Sequence, residues 1–208
     1  MASEAGQDTL QAQARAVAII QAEHRALGHV VRALQKVTDE IAQGLTEADF
    51  ALLASMLYYI DSFPEQFHHP KEDEHLFFAL RRRTSKADGV LDELQAEHVR
   101  SAQTIAYLNQ TLVHYQGGAA DGLRQFRDAV NAYAALLLDH MRKEEQVVLP
   151  LAAEFLRPAD WEAMATAFAA NEDPLFGERQ QQAFRRLQQR IANLVPRKLK
   201  PLLREDES

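Results

Sequence analysis

Apolar residues recur every three to four positions through most of this chain, and histidines stand on the apolar stripes themselves. Val17, Ile20, Leu27 and Val31 share a helical face with His24. Leu91, Leu94, Ile105 and Leu112 share one with His98, and Phe126, Tyr133, Leu136, Val147 and Leu151 share one with His140. A period near 3.6 sustained over such lengths specifies long amphipathic helices, which bury their stripes against one another. Composition points the same way. Ala contributes 34 positions and Leu 26, against 24 for Val, Ile and Thr together, a balance that favours helix over sheet.

The helix signals divide the chain. A first helix is expected from about Thr9 to Gln43, ended by Gly44. Thr46, with Asp49 three residues on, should cap a second that runs to about Arg83 through Pro64 and Pro70, each of which bends the axis. A third helix starts near Asp88 and stops at Tyr115, before Gly117-Gly118. The fourth follows Asp121 and ends near Leu156, with Pro150 as another bend. Pro158 suits the first turn of a fifth helix over 159–170, and a sixth is expected over 178–194. The fold class is therefore all-α: an up-down-up-down four-helix bundle over residues 9–156, followed by a C-terminal helical extension over 157–208. Its aromatics, Trp161, Phe168, Phe176 and Phe184, suggest that the extension packs on the bundle or makes a homodimer contact.

Charge and cysteine usage narrow the function. Lys and Arg number 23 against 30 Asp and Glu, a net charge of -7, so nucleic acid and anionic membrane surfaces are poor partners. The absence of cysteine removes disulfides, zinc-thiolate sites, iron-sulfur clusters and thiol catalysis. No secretory signal and no apolar run of ~20 residues is evident, so a cytoplasmic location is expected.

On the second helix His68, Glu72 and His75 fall within about 60° of one another, whereas His69 lies about 100° off that face. The fourth helix repeats the unit with His140 and Glu144. Residues 68–73 and 140–145 both read His-x-x-Lys-Glu-acid. Unpaired imidazoles and carboxylates buried in an apolar bundle cost several kcal/mol each, a cost that bound cations remove. Four inward histidines (His24, His68, His98, His140) and two inward glutamates (Glu72, Glu144) suit two divalent ions bridged by the carboxylates. Nitrogen and oxygen donors without thiolate fit iron best, with manganese and zinc as competitors.

These six residues, in this order on four successive helices, resemble the hemerythrin-like (HHE cation-binding) domains. The family pattern is one His on the first helix, His-x-x-x-Glu on the second, one His on the third and His-x-x-x-Glu or His-x-x-x-x-Asp on the fourth. The resemblance covers about Gln11 to Leu156 and implies a pair of iron ions (Fe2+/Fe3+) with an oxide or hydroxide bridge. It also implies that O2, NO or peroxide binds at an open iron position. Oxygen-carrying hemerythrins place a second histidine four residues after the first on the third helix. Here that position is Ala102, and His75 is expected to fill the vacancy; Val147 occupies the equivalent place on the fourth helix. Ferritin-like di-iron sites require Glu-x-x-His on two helices, and only Glu72-x-x-His75 fits. A peroxide- or NO-detoxifying enzyme and an iron- or oxygen-responsive regulator remain alternatives at the same site.

Several other residues carry lesser expectations. Asp73 or Glu145 is placed to accept a hydrogen bond from a ligand imidazole. His29 and His114 are expected toward solvent, and Tyr133 and Asp61 in packing roles. Gly28, one turn after His24, leaves space beside the ions or allows close helix packing.

Overall fold

The computed structural model of the chain describes residues 2–169. Four helical rods and one shorter helix make up the architecture, and no strand occurs among the described residues. The first rod is α1 (Ala2–Ala42). The second combines α2 (Phe50–Phe63), α3 (His69–Lys71) and α4 (Phe78–Arg81), joined by π-helical stretches at Pro64–His68 and Glu72–Phe77. The third is α5 (Asp88–Gln116). The fourth combines α6 (Gly122–Lys143) and α7 (Leu149–Phe155) through a π-helical stretch at Glu144–Val148, and α8 (Pro158–Ala169) follows. The sixth helix expected over 178–194, with Phe176 and Phe184, lies outside the described residues.

The prolines widen the second and fourth rods without ending them. Pro70 has no N–H for the carbonyl four residues back, and its ring crowds that carbonyl. The preceding turn opens instead, and the His69 N–H bonds the Pro64 carbonyl five residues back. Before Pro150 the Leu149 N–H makes the same longer reach to Glu144. The second rod starts later than Thr46 suggested. Asp49 is its N-cap, with one carboxylate oxygen accepting the Ala51 and Leu52 N–H groups at 3.0 Å each. Asp caps at least as well as Thr, and here it satisfies two otherwise unpaired donors. Gly44 (φ 68°) and Gly118 (φ 79°) adopt the left-handed conformation that turns the chain off the first and third rods.

α1 packs on α2 and α6, and α5 packs on the same two helices from the other side. Two apolar clusters fill the interior. One joins Leu27, Leu34, Leu53, Leu57, Ile105, Phe126 and Tyr133. The other joins Ile20, Leu76, Phe77, Leu91, Leu94 and Val148 to Trp161, Met164 and Phe168 of α8. Each fully buried side chain of this size contributes about 1.5–3 kcal/mol. α8 is also held by a forked ion pair, Arg83 donating to both Asp160 oxygens at 2.8 and 2.9 Å, while Asp160 accepts the Arg157 N–H. None of the described helices is long and apolar enough to cross a membrane.

The order of residues along each rod places a polar layer between the two clusters. Ile20 and Leu27 bracket His24, Leu94 and Ile105 bracket His98, and Ile60 and Leu76 bracket His68 through Glu72. Leu137 and Val148 bracket His140 and Glu144 in the same way.

Candidate metal centre

Every rod contributes to that layer. His24, His68, His69, Glu72, His98, His140 and Glu144 are all buried, the two glutamates completely. They form two groups whose donor atoms lie within 4.8 Å of one another: His24, His68, Glu72 and Glu144 in one, and His69, Glu72, His98 and His140 in the other. Glu72 belongs to both. Its Oε1 is 3.1 Å from His68 Nε2 and 3.6 Å from His24 Nε2, while its Oε2 is 3.7 Å from His98 Nε2. Glu144 spans the same gap, with Oε2 at 3.2 Å from His24 Nε2 and Oε1 at 3.4 Å from His140 Nε2. Across the second group the His98 and His140 Nε2 atoms stand 3.1 Å apart.

The outer ring nitrogens of four of these histidines meet carboxylates. His24 Nδ1 meets Glu145 at 2.8 Å, His68 Nδ1 meets Glu23 at 2.8 Å, His98 Nδ1 meets Asp73 at 3.1 Å and His140 Nδ1 meets Glu97 at 3.0 Å. With Nδ1–H donating outward to a carboxylate, each Nε2 lone pair points inward, the tautomer a metal requires. These bonds run in a ring, since each rod supplies an acid to a histidine of the next and the fourth returns to the first. Two lysines brace the acids from outside. Lys143 Nζ lies 2.6 Å from Glu97 and 2.6 Å from Glu93, and Lys71 Nζ lies 3.8 Å from Glu23.

Inside the ring, His24 Nε2, His68 Nε2 and both carboxylate oxygens of Glu72 and Glu144 are buried without a hydrogen-bond partner. Orphaned groups of this kind are rare and costly unless something else satisfies them. Cations at the two groups would do so, and the donor set of imidazole and carboxylate fits them. The protonation equilibria agree. Burial opposes charge on His68, but Glu72 and Glu23 outweigh it and raise its pKa to about 9. Burial likewise works against the Glu144 carboxylate, as does Glu72, yet His140 and His24 bring its pKa down to about 2. Glu72 is held well below the usual range against its burial by His68 and His24. Protons on the imidazoles thus balance the two glutamates where cations can replace them.

Of the seven residues expected from sequence as ligands, the structure gathers six into the two groups, with His69 beside them. His75 does not join the second group. It is half-buried on another side of the rod and lines a cleft of about 230 Å³ with Glu74, Phe78, and Asp160 and Met164 of α8. His69 stands in its place, its ring stacked on His98 at 4.0 Å between centroids. The cause is the widened turn before Pro70. A uniform 100° per residue put His69 off the metal face, but the extra residue in the turn lets His68 and His69 both reach inward. Glu23 and Glu97 were also missed as braces, although a Glu-His pair recurs at 23–24 and 97–98. Asp73 and Glu145 take the role foreseen for them. Tyr133 donates to the Ile60 carbonyl at 3.3 Å, a packing role, and His114 is exposed. The space at Gly28 is taken by the flexible Arg32 side chain, 2.9 Å from where a Cβ would stand.

The model of the hemerythrin HHE cation-binding domain matches residues 15–152. The chain belongs to this family. Both ligand groups and all four outer carboxylates fall inside the matched span. No curated protein matches the chain.

Proposed function

We propose that this HHE domain is a non-haem di-iron protein that binds a small diatomic molecule or peroxide at an open iron position. The observation that carries the reading is the pairing of two adjacent donor groups through shared glutamates, with the second ring nitrogens of His24, His68, His98 and His140 already braced. Iron held there supplies a Lewis acid and a source of electrons for the small ligand. His24 and His68 would hold one ion, His69, His98 and His140 the other, and Glu72 and Glu144 would span both. The apolar clusters on either side exclude water from the layer. One group offers three imidazoles and the other two, so the two-imidazole group keeps more room for an external ligand.

The test is the absorption spectrum of reduced, iron-loaded protein before and after O2, NO or peroxide. A ligand-dependent charge-transfer band that reverses on degassing is expected for O2. An unchanged spectrum with all three would contradict the proposal, and sustained O2 release from peroxide would reassign the site to an enzyme. One contact favours the regulatory reading as a second possibility. Lys71, beside Glu23, also sits 5.5 Å over the Phe168 ring of α8, which ties that helix to a brace of His68. A metal-dependent change in oligomeric state would support it.

A further inference from the structure

Lysines meet the braces Glu23 and Glu97 from outside, whereas Asp73, the brace of His98, is met by a neutral amide, that of Gln95 on α5. Gln95 is half-buried, stands one turn before His98 and belongs to neither donor group. Its Nε2 lies 3.0 Å from Asp73 Oδ1, and its Oε1 accepts from Arg81 at 2.9 Å. Arg81, at the end of α4, is anchored in turn by Asp92 at 2.7 Å and Asp88 at 3.7 Å, both on the first turns of α5. The network ends inside, where Asp73 Oδ2 lies 3.1 Å from His98 Nδ1.

Such a network has one direction. A guanidinium only donates, so the amide oxygen of Gln95 must face Arg81 and its NH2 must face Asp73. A carboxylate only accepts, so the second Asp73 oxygen takes the His98 Nδ1–H and leaves the Nε2 lone pair pointing inward. We infer that Gln95 is a positioning residue for the second donor group: pinned by Arg81, it fixes Asp73 and thereby the tautomer and tilt of the His98 ring. The inference rests on that group holding a cation.

Exchanging amide and carboxylate tests the direction. Gln95→Glu keeps the size and gives Arg81 a charged partner, so a merely structural role predicts no loss of helical content or melting temperature. It also sets two carboxylates against each other, which should loosen the brace. Asp73→Asn alone turns an NH2 toward either the Gln95 NH2 or the His98 Nδ1–H. Combining the two changes pairs a donor with an acceptor at every step again and leaves the net charge as it was. In calorimetric titrations of metal-free protein with zinc, which binds without redox chemistry, wild type should take up two ions. Each single variant should weaken one of them by about 10–100-fold, and the double variant should recover most of that loss. In NMR spectra of the zinc-loaded protein the His98 Nδ1–H proton should be visible in wild type and double variant and lost to solvent exchange in the single variants. Should a single variant lose helical content, Arg81→Met, which frees the amide to turn and leaves the brace unaltered, should still weaken the same ion. Unchanged affinity in Gln95→Glu, or a double variant no better than the single ones, overturns the inference and leaves the two donor groups standing. Uptake of fewer than two zinc ions by wild type contradicts the paired centre itself, and the inference with it.

Discussion

The first half of the bundle, α1 with the second rod, and the second half, α5 with the fourth, carry one plan twice. Each pairs a Glu-His dipeptide on one rod with His-x-x-Lys-Glu-acid on the next. They differ at the residue after the motif's first histidine, which is His69 in one half and Met141 in the other. Both are buried, but His69 joins a group of candidate metal donors and Met141 joins the apolar cluster around Leu137. The difference extends beyond a donor exchanged for a thioether. Pro70 follows His69 and opens the turn that rotates it inward, whereas Arg142 follows Met141 and α6 stays regular through Lys143. A backbone irregularity therefore sets how many imidazoles each donor group offers.

The largest effect should come from the feature the halves share. Replacing Glu72 or Glu144 by Ala is expected to abolish binding of both ions and to lower the melting temperature, because metal binding is coupled to folding at such sites. Metal analysis beside thermal unfolding checks this, and loss of only one ion would show that the groups are independent. His69→Ala against Met141→Ala then breaks the comparison itself. The first should weaken or empty the second group while the first group retains its ion. The second should keep both ions and cost about 2–5 kcal/mol of stability through the lost packing.

Outer-shell variants sharpen the contrast. Glu97→Gln and Glu23→Gln should each weaken metal affinity by about 10–100-fold, as brace mutations do elsewhere. Their lysines should differ. Lys143 contacts Glu97 closely and Lys71 stands further from Glu23, so Lys143→Ala should weaken affinity more than Lys71→Ala in competition titrations with a chelator.

The smallest expected effect lies at α8, which packs along α1 and is tied to the second rod by the Arg83 fork. The Arg83 fork, aided by the Arg157 N–H and opposed by partial burial, holds the Asp160 carboxyl below its usual pKa. A depressed carboxylate stabilises the fold above its unfolded pKa, and that contribution disappears as pH falls through the folded value. The melting-temperature gap between wild type and Asp160→Asn should therefore be constant near neutrality and close in acid. A gap that widens in acid would show that the pair does not hold α8.

Much of this arrangement is legible in the sequence, because apolar spacing sets which way His24, His98 and His140 point. Glu72 and Glu144 follow from their four-residue distance to His68 and His140. His69 was not legible on that rule, since helical arithmetic assumes a constant turn and Pro70 breaks it. His75 was drawn in by the same assumption. The four braces are half visible: Asp73 and Glu145 adjoin the bridging glutamates, but Glu23 and Glu97 act on histidines of a neighbouring rod, a relation that only the packing reveals. Thr46 and Asp49 both carry cap chemistry, and local competition decided between them.

Anomalous diffraction at the iron edge, on crystals of protein from iron-replete cells, tests the central claim most directly. Two peaks are predicted, one among His24 and His68 and one among His69, His98 and His140, with Glu72 and Glu144 between them. A single peak, or none, would contradict a centre built to hold a pair.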